Sequence, residues 1–353
     1  MKLEGIQTPA LIVDEKTYLE NAEAMKNLLS GKSLKLRPHF KSHKCADIAR
    51  EQIAAGAIGM TCAKLDEAID LCDGGIEDIL IANQIVDKTK ISKMASLALN
   101  CRLTVCVDNE KNVLDIESAA ALAGSTVHCL IEYEIGMERC GVSSIEAVAD
   151  LARAIIACPH LEFDGIQAYA GHISHEASAD QRLALTQANA AGIKELIEYL
   201  AKQGIEVKTL SGGSTGTSQI KADMGLYTEL QAGSYLFMDS TYRELELPFK
   251  NSLFILATVV SVNDRITVVD AGVKSCGIDQ GMPECVGFTV SHIVASEEHL
   301  QLHNPSEKFN VGDRILLIPG HCCSTVNLHE KLYFIRDNKV SRRVAVTSRG
   351  CFR

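Results

Sequence analysis

Near the start of the chain, Leu36-Arg37-Pro38-His39-Phe40-Lys41-Ser42-His43-Lys44 gathers three lysine or arginine residues and two histidines around one proline. A turn at the end of a strand is where a rigid element can hold a reactive side chain in place. A lysine there loses its proton when it is desolvated or set beside other cations, and a neutral amine forms an imine with a carbonyl. Arg37 and Lys44 are the cationic neighbours that the sequence offers Lys41. A solvated basic turn has the same composition, so the rest of the chain has to decide.

Two further stretches carry chemistry. Ser211-Gly212-Gly213-Ser214-Thr215-Gly216-Thr217 is a glycine- and hydroxyl-rich loop. Its glycines let backbone approach an anion, its N–H and O–H groups can donate, and the start of the next helix adds a favourable dipole. Gly233-Ser234-Tyr235, at the next expected strand, is placed to close such a cup. The other stretch is His321-Cys322-Cys323. On an extended segment His321 and Cys323 project to one side and can share one divalent ion, with Cys322 facing away. Two protein ligands leave positions open for water and substrate, as in a catalytic site.

The elements that must position these residues follow from periodicity. A helix is expected over 14–31, with Asp14 as its cap and Gly31 after its end. Strands are expected at 34–39, 58–63, 78–83, 102–108, 127–134, 163–169, 206–211 and 233–238. Helices are expected at 45–55, 65–72, 89–99, 110–123, 144–157 and 180–203. Eight strands alternating with helices predict an α/β fold, a closed (β/α)8 TIM-type barrel. A doubly wound sheet would carry a phosphate fingerprint after its first strand, and there is none. The active site of a barrel lies at the strand C-termini. There the sequence sets His39, Lys41, Lys64, Asn83, Gln84, Asp108, Glu134, Arg139, Tyr169, His172, His175 and the 211–217 loop. After Leu247-Pro248 the chain turns to short β-rich runs. The expected domains are a barrel over 14–246 and a smaller all-β domain, 1–13 plus 247–353, which contains His321 and Cys323.

Composition narrows the function. The 353 residues carry a formal net charge of -10, with a pI near 5.6, which argues against a nucleic-acid or anionic-membrane partner. No apolar run reaches 18 residues and the first residues lack a secretory pattern. The 13 cysteines are odd in number and scattered through apolar runs, as free thiols are in a reducing cytoplasm.

An imine-forming lysine after strand one and an anion cup after strand seven describe a site for pyridoxal 5'-phosphate. The pieces RPHFKSHK, GMTCAKLDEA, ILIANQIV, GMERCGV, GIQAYAGHISH, GGSTGT, QAGSYLFMD, VVDAGVKSCGID and PGHCCSTVNLHE follow in this order. Together they resemble the D-threonine aldolase / eukaryotic-type, metal-dependent D-serine dehydratase family, which has the alanine racemase-like fold. The resemblance implies that Lys41 forms the imine link to the cofactor and that Arg139 approaches its phenolic oxygen. It implies phosphate contacts from Gly212, Gly213, Thr215 and Ser234, next to Tyr235, and places Tyr169 beside the ring or substrate. His321 and Cys323 match the family's metal pair, for Zn, Mn or Mg. A small D-amino acid as substrate and a homodimer follow from the same resemblance. So does a lyase activity on β-hydroxy-D-amino acids, with His175 as the base of a retro-aldol cleavage and His172 as its nearest rival. The alternative is β-elimination from D-serine or 3-hydroxy-D-aspartate, favoured by Cys323 as a soft, zinc-preferring ligand. A racemase fits less well, since Tyr333 is the only tyrosine beyond Tyr242 and its KLYFIR setting reads as a strand interior. A non-catalytic cofactor-binding protein also fits less well, because it would not need a β-domain with a metal pair.

Overall fold

The computed structural model describes every residue except Met1, Lys2 and Glu4, so these three members of the 1–13 segment lie outside the described residues. The chain forms two compact units. One comprises Lys26–Lys41, Ile48–Gly233 and Cys351–Arg353; the other Met1–Met25, Ser42–Asp47 and Ser234–Gly350. By contacts, then, residues 14–25 and 234–246 group with the β-rich unit.

The first unit is built on eight parallel strands: Lys35–Leu36, Met60–Cys62, Asp78–Ile81, Arg102–Val107, Val127–Glu132, Leu161–Ala168, Thr209–Gly212 and Glu229–Leu230. The sheet closes on itself. Lys35–Leu36 pairs with Glu229–Leu230, and on its other side the N–H groups of Ile58 and Thr61 donate to Leu36 and Pro38 at 2.9 Å. Ile79, Leu80 and Ile81 are buried in succession, the pattern of a strand covered on both faces. Leu80, Cys106 and Leu130 form one core cluster.

The helices begin where side chains satisfy their free N–H groups. Asp87, Asn109, Ser144 and Ser178 accept from the N–H of Lys90, Asn112, Ala147 and Gln181, each cap contributing about 1 kcal/mol. Ile145–Ile156 buries Val148, Ala149, Leu151, Ala152 and Ile155, one stripe at helical spacing.

The eighth strand needs correction. It is Glu229–Leu230, not 233–238, and Ser234–Leu236 is a 3-10 turn. Glu229 and Gln231 bond to polar partners inside the barrel, so the true strand has no apolar signature. The apolar Tyr235-Leu236-Phe237-Met238 run is buried in the other unit.

That second unit holds a nine-stranded, mostly antiparallel sheet. Ala10–Asp14 pairs antiparallel with Leu253–Val262 and parallel with Lys331–Arg336. Leu3, Ile6, Ala10, Ile12, Leu256 and Ile335 form a core cluster on it. Among the described residues no helix is long and apolar enough to cross a membrane.

Candidate active site

Lys41 lies exposed in the 3-10 turn Phe40–Ser42 that follows the first barrel strand, its N–H 3.4 Å from His39 Nδ1. Arg37 does not supply the expected cationic neighbourhood. Its guanidinium is buried, donating to both Glu229 oxygens at 2.9 and 2.7 Å and to Asp78 at 2.7 Å. Burial opposes its charge, but the two carboxylates outweigh that and hold its pKa above the ordinary value. Arg37 is therefore spent on pairing at the end where the strands begin.

The same end carries His128, Glu162 and Asp164, whose ligand-capable atoms lie within 4.8 Å of one another. Arg102 already occupies this group, donating to Asp164 at 2.5 Å with its other terminal nitrogen 3.1 Å from His128 Nε2. A guanidinium there competes with any cation, and the cluster reads as a charge network. It lies at the end opposite the one where barrels do chemistry.

At the strand C-termini the arrangement is more open. The Arg139 guanidinium is 3.6 Å from Glu132 and 5.6 Å from the centre of the Tyr169 ring, with half its side chain exposed. Glu132 is steadied by Gln84, which donates to it at 2.6 Å, while Gln84 Oε1 is buried with no partner among the described residues. Glu132 was missed by sequence reasoning, which chose Glu134. The strand ends at Glu132, and Glu134 instead accepts the N–H groups of Gly136 and Glu138 at 2.8 and 2.9 Å. Burial would raise the Glu134 pKa, but these N–H donors overcome it and hold the carboxylate below its usual range. His172 and His175 are exposed on the loop after the sixth strand.

The glycine loop after the seventh strand is built for close approach. A Cβ at Gly212 would sit 2.2 Å from the Ala168 carbonyl oxygen; Gly213 has φ +80°, which side chains rarely adopt. Ser174 Oγ donates to Ser214 Oγ at 2.7 Å, and the Ser214 N–H donates to Thr217 Oγ1 at 3.2 Å. Thr215 Oγ1 is buried and has no partner among the described residues. Such a hydroxyl costs about 1–3 kcal/mol unless something bonds to it. An anion in the loop would do so, and the cup therefore fits the phosphate of pyridoxal phosphate.

In the second unit, Ser234 Oγ is 3.9 Å from Cys323 Sγ, and Tyr235 is fully buried with its ring centre 5.7 Å from that of Phe249. His321 and Cys323 do not lie on an extended segment. His321 is the N-cap of the short helix Cys322–Val326 and Cys323 falls in its first turn. A proline-glycine pair before His321 breaks the preceding strand, and the chain recoils into a helical turn. His321 Nδ1 is 2.7 Å from Asp279 Oδ2, which leaves Nε2 for a metal, and Asp279 also accepts from Ser324 Oγ at 2.5 Å. Burial would lower the His321 pKa, but Cys323 and Asp279 raise it to about 9. Cys323 Sγ is also 3.4 Å from Ser42 Oγ. An imidazole and a thiol drawn together this way form a donor set that suits a soft divalent ion. Asp279 escaped sequence reasoning as a functional residue, although it ends the VVDAGVKSCGID piece. Cys322 is buried, its N–H on Asp239 at 2.9 Å.

A parallel barrel with a glycine cup after its seventh strand, in one chain with a mostly antiparallel unit, defines the alanine racemase-like class. Residues 13–241 match the alanine racemase N-terminal domain, and residues 252–335 match the putative serine dehydratase domain. This chain belongs to the D-threonine aldolase / metal-dependent D-serine dehydratase family. It is 36% identical to a 3-hydroxy-D-aspartate aldolase of Paracoccus denitrificans (strain Pd 1222), covering 98% of this chain and 92% of that one. It is 36% identical to a D-threonine aldolase of Arthrobacter sp., covering 99% and 94%. The crystal structure of D-threonine aldolase from Filomicrobium marinum matches with a TM-score of 0.95 at 35% identity, over 99% of this chain and 97% of that one. A D-threo-3-hydroxyaspartate dehydratase of Delftia sp. (strain HT23) is 26% identical over 91% and 92%.

Proposed function

We propose that this chain is a pyridoxal phosphate- and divalent metal-dependent lyase that cleaves β-hydroxy-D-amino acids, D-threonine among them, to glycine and an aldehyde. The observation that carries the reading is the near end-to-end match to chains named as aldolases at 36% identity, against 26% for one named as a dehydratase. Lys41 would hold the cofactor, with Arg139 and Tyr169 beside it and Gly212, Gly213, Thr215, Ser234 and Tyr235 at its phosphate end. His321 and Cys323 would hold a divalent ion, Zn or Mn before Mg given the sulfur ligand. When bound, the cofactor supplies an electron sink for negative charge at the substrate Cα, and the metal a Lewis acid for the β-hydroxyl.

The chain's own residues do the remaining work. His175 takes the proton of the β-hydroxyl. As that oxygen becomes a carbonyl, the Cα–Cβ bond breaks, its electron pair passes to Cα, and the aldehyde leaves. Protonation of Cα then gives glycine. Glu132, steadied by Gln84, holds the Arg139 guanidinium, and Asp279 holds the His321 ring. The thirteen free cysteines suit a reducing cytoplasm, and the resemblance favours a homodimer.

Cys323 supports a second reading, since a thiolate ligand suits the zinc of a dehydratase. There Lys41 would take the α-proton, the electron pair would expel hydroxide, and the product would decay to a keto acid and ammonia. A product assay separates the two, with D-threonine, pyridoxal phosphate and Mn or Zn. Glycine with acetaldehyde is expected. 2-Oxobutanoate with ammonia would select the second reading, and inertness toward D-threonine, D-serine and 3-hydroxy-D-aspartate would contradict both.

A further inference from the structure

Lys221 is a buried cation that the proposed chemistry does not use. It lies in the short helix Ser218–Met224 with 3% of its surface exposed. Among the described residues no carboxylate pairs with it. Its Nζ instead sits 3.4 Å from the centre of the Tyr227 ring. The stem packs directly on the glycine cup: a Cβ at Gly213 would meet Lys221 Cδ at 2.8 Å and Cε at 3.4 Å. Tyr227 borders the other glycine, its ring edge 3.0 Å from where a Gly212 Cβ would be, and its hydroxyl donates to Ala168 O at 3.2 Å.

A lysine buried without an anion is disfavoured, and methionine or leucine would fill the same space at lower cost. Burial alone brings the Lys221 pKa down to about 7. The titratable group facing the amine is Tyr227, whose phenol burial holds protonated. The amine is thus on the edge of charging, with no carboxylate paired to it among the described residues. The partnerless Thr215 Oγ1 in the same loop independently marks a missing anion.

We propose that Lys221 is a phosphate-recognition residue, its stem packed on Gly213 and its amine over the Tyr227 ring supplying positive charge to a phosphate dianion in the loop. This rests on the proposed function only for the identity of the natural ligand, pyridoxal phosphate. Charging on binding resolves the puzzle of the buried amine: the dianion supplies the opposite charge that folding left out.

The test compares wild type with Lys221→Met, titrated with inorganic phosphate, with pyridoxal phosphate and with pyridoxal, which lacks the phosphate. The variant is expected to bind both phosphates about tenfold or more weakly, with pyridoxal binding unchanged. Unchanged phosphate affinity, or an equal loss for pyridoxal, overturns the proposal. Wild type that binds inorganic phosphate through Lys221 but not pyridoxal phosphate would sustain it while removing the cofactor reading. A wild-type measurement covers the case in which the variant does not fold. Calorimetry of phosphate binding to wild type should show a measurable heat accompanied by proton uptake above pH 7. Wild type that binds neither inorganic phosphate nor pyridoxal phosphate would overturn the proposal.

Discussion

Where the barrel strands begin, charge closes on charge: Arg37 reaches Glu229 and Asp78, and Arg102 reaches Asp78 and Asp164. Where the strands end, Arg139 has one carboxylate at 3.6 Å, one ring face and half its side chain in the open. Gln84 Oε1 and Thr215 Oγ1, both without partners among the described residues, lie toward that end as well. Similar residue types thus serve two purposes. Ion pairs hold the end where the strands begin together, and at the other end a half-exposed guanidinium and two partnerless oxygens are placed for a ligand to complete. This is the division expected of a barrel, with stability below and chemistry above.

Breaking the upper end should cost activity alone. Lys41→Ala is expected to lower turnover by about a thousandfold or more and to abolish the visible absorbance of bound cofactor, with the urea midpoint unchanged. Breaking the lower end should do the reverse. Arg37→Ala strands Glu229, which is nearly buried, and is expected to cost about 3–5 kcal/mol in urea unfolding, with kcat near wild type in the folded fraction. An Arg37→Ala protein of full stability and no activity would erase the contrast.

The metal pair gives a milder case. Asp279→Asn is expected to weaken Zn or Mn binding by about 10–100-fold, read by competition with a chelator, while cofactor absorbance stays. The smallest effect is in the pH dependence of stability. Burial would raise the Asp164 pKa, but His128 and then Arg102 overcome it and hold the carboxylate low. A depressed folded-state pKa gives stability that is present above the unfolded value and lost as pH falls through the folded one. Asp164→Asn should therefore flatten the acid limb of stability below about pH 4, measured as Tm against pH. A limb as steep as wild type would mean that the network does not set it.

Much of this was legible in the sequence because helix periodicity and caps are local signals. The 110–123 span coincides with the observed helix Glu110–Ala123, which Asn109 and Gly124 bound. What escaped depended on partners far along the chain. Glu229 looks like a loop residue until Arg37, from the first strand, is beside it. Leu236 and Phe237 look like a strand until they are seen buried in the other unit. His321 and Cys323 were expected on one extended segment, but the backbone is extended only at His321, the N-cap, and Cys323 already lies in the helical first turn, a local change that alternation in the sequence does not reveal. Lys221 gave no signal, since burial of a lysine follows from packing that composition does not encode.

The most direct test of the central claim is to load the protein with pyridoxal phosphate, reduce it with borohydride and locate the labelled lysine by peptide mass spectrometry. The label is expected on Lys41, in the turn after the first strand. A label on Lys64 or on Lys221 would contradict it, and would move the reactive amine away from the site built around Arg139 and Tyr169.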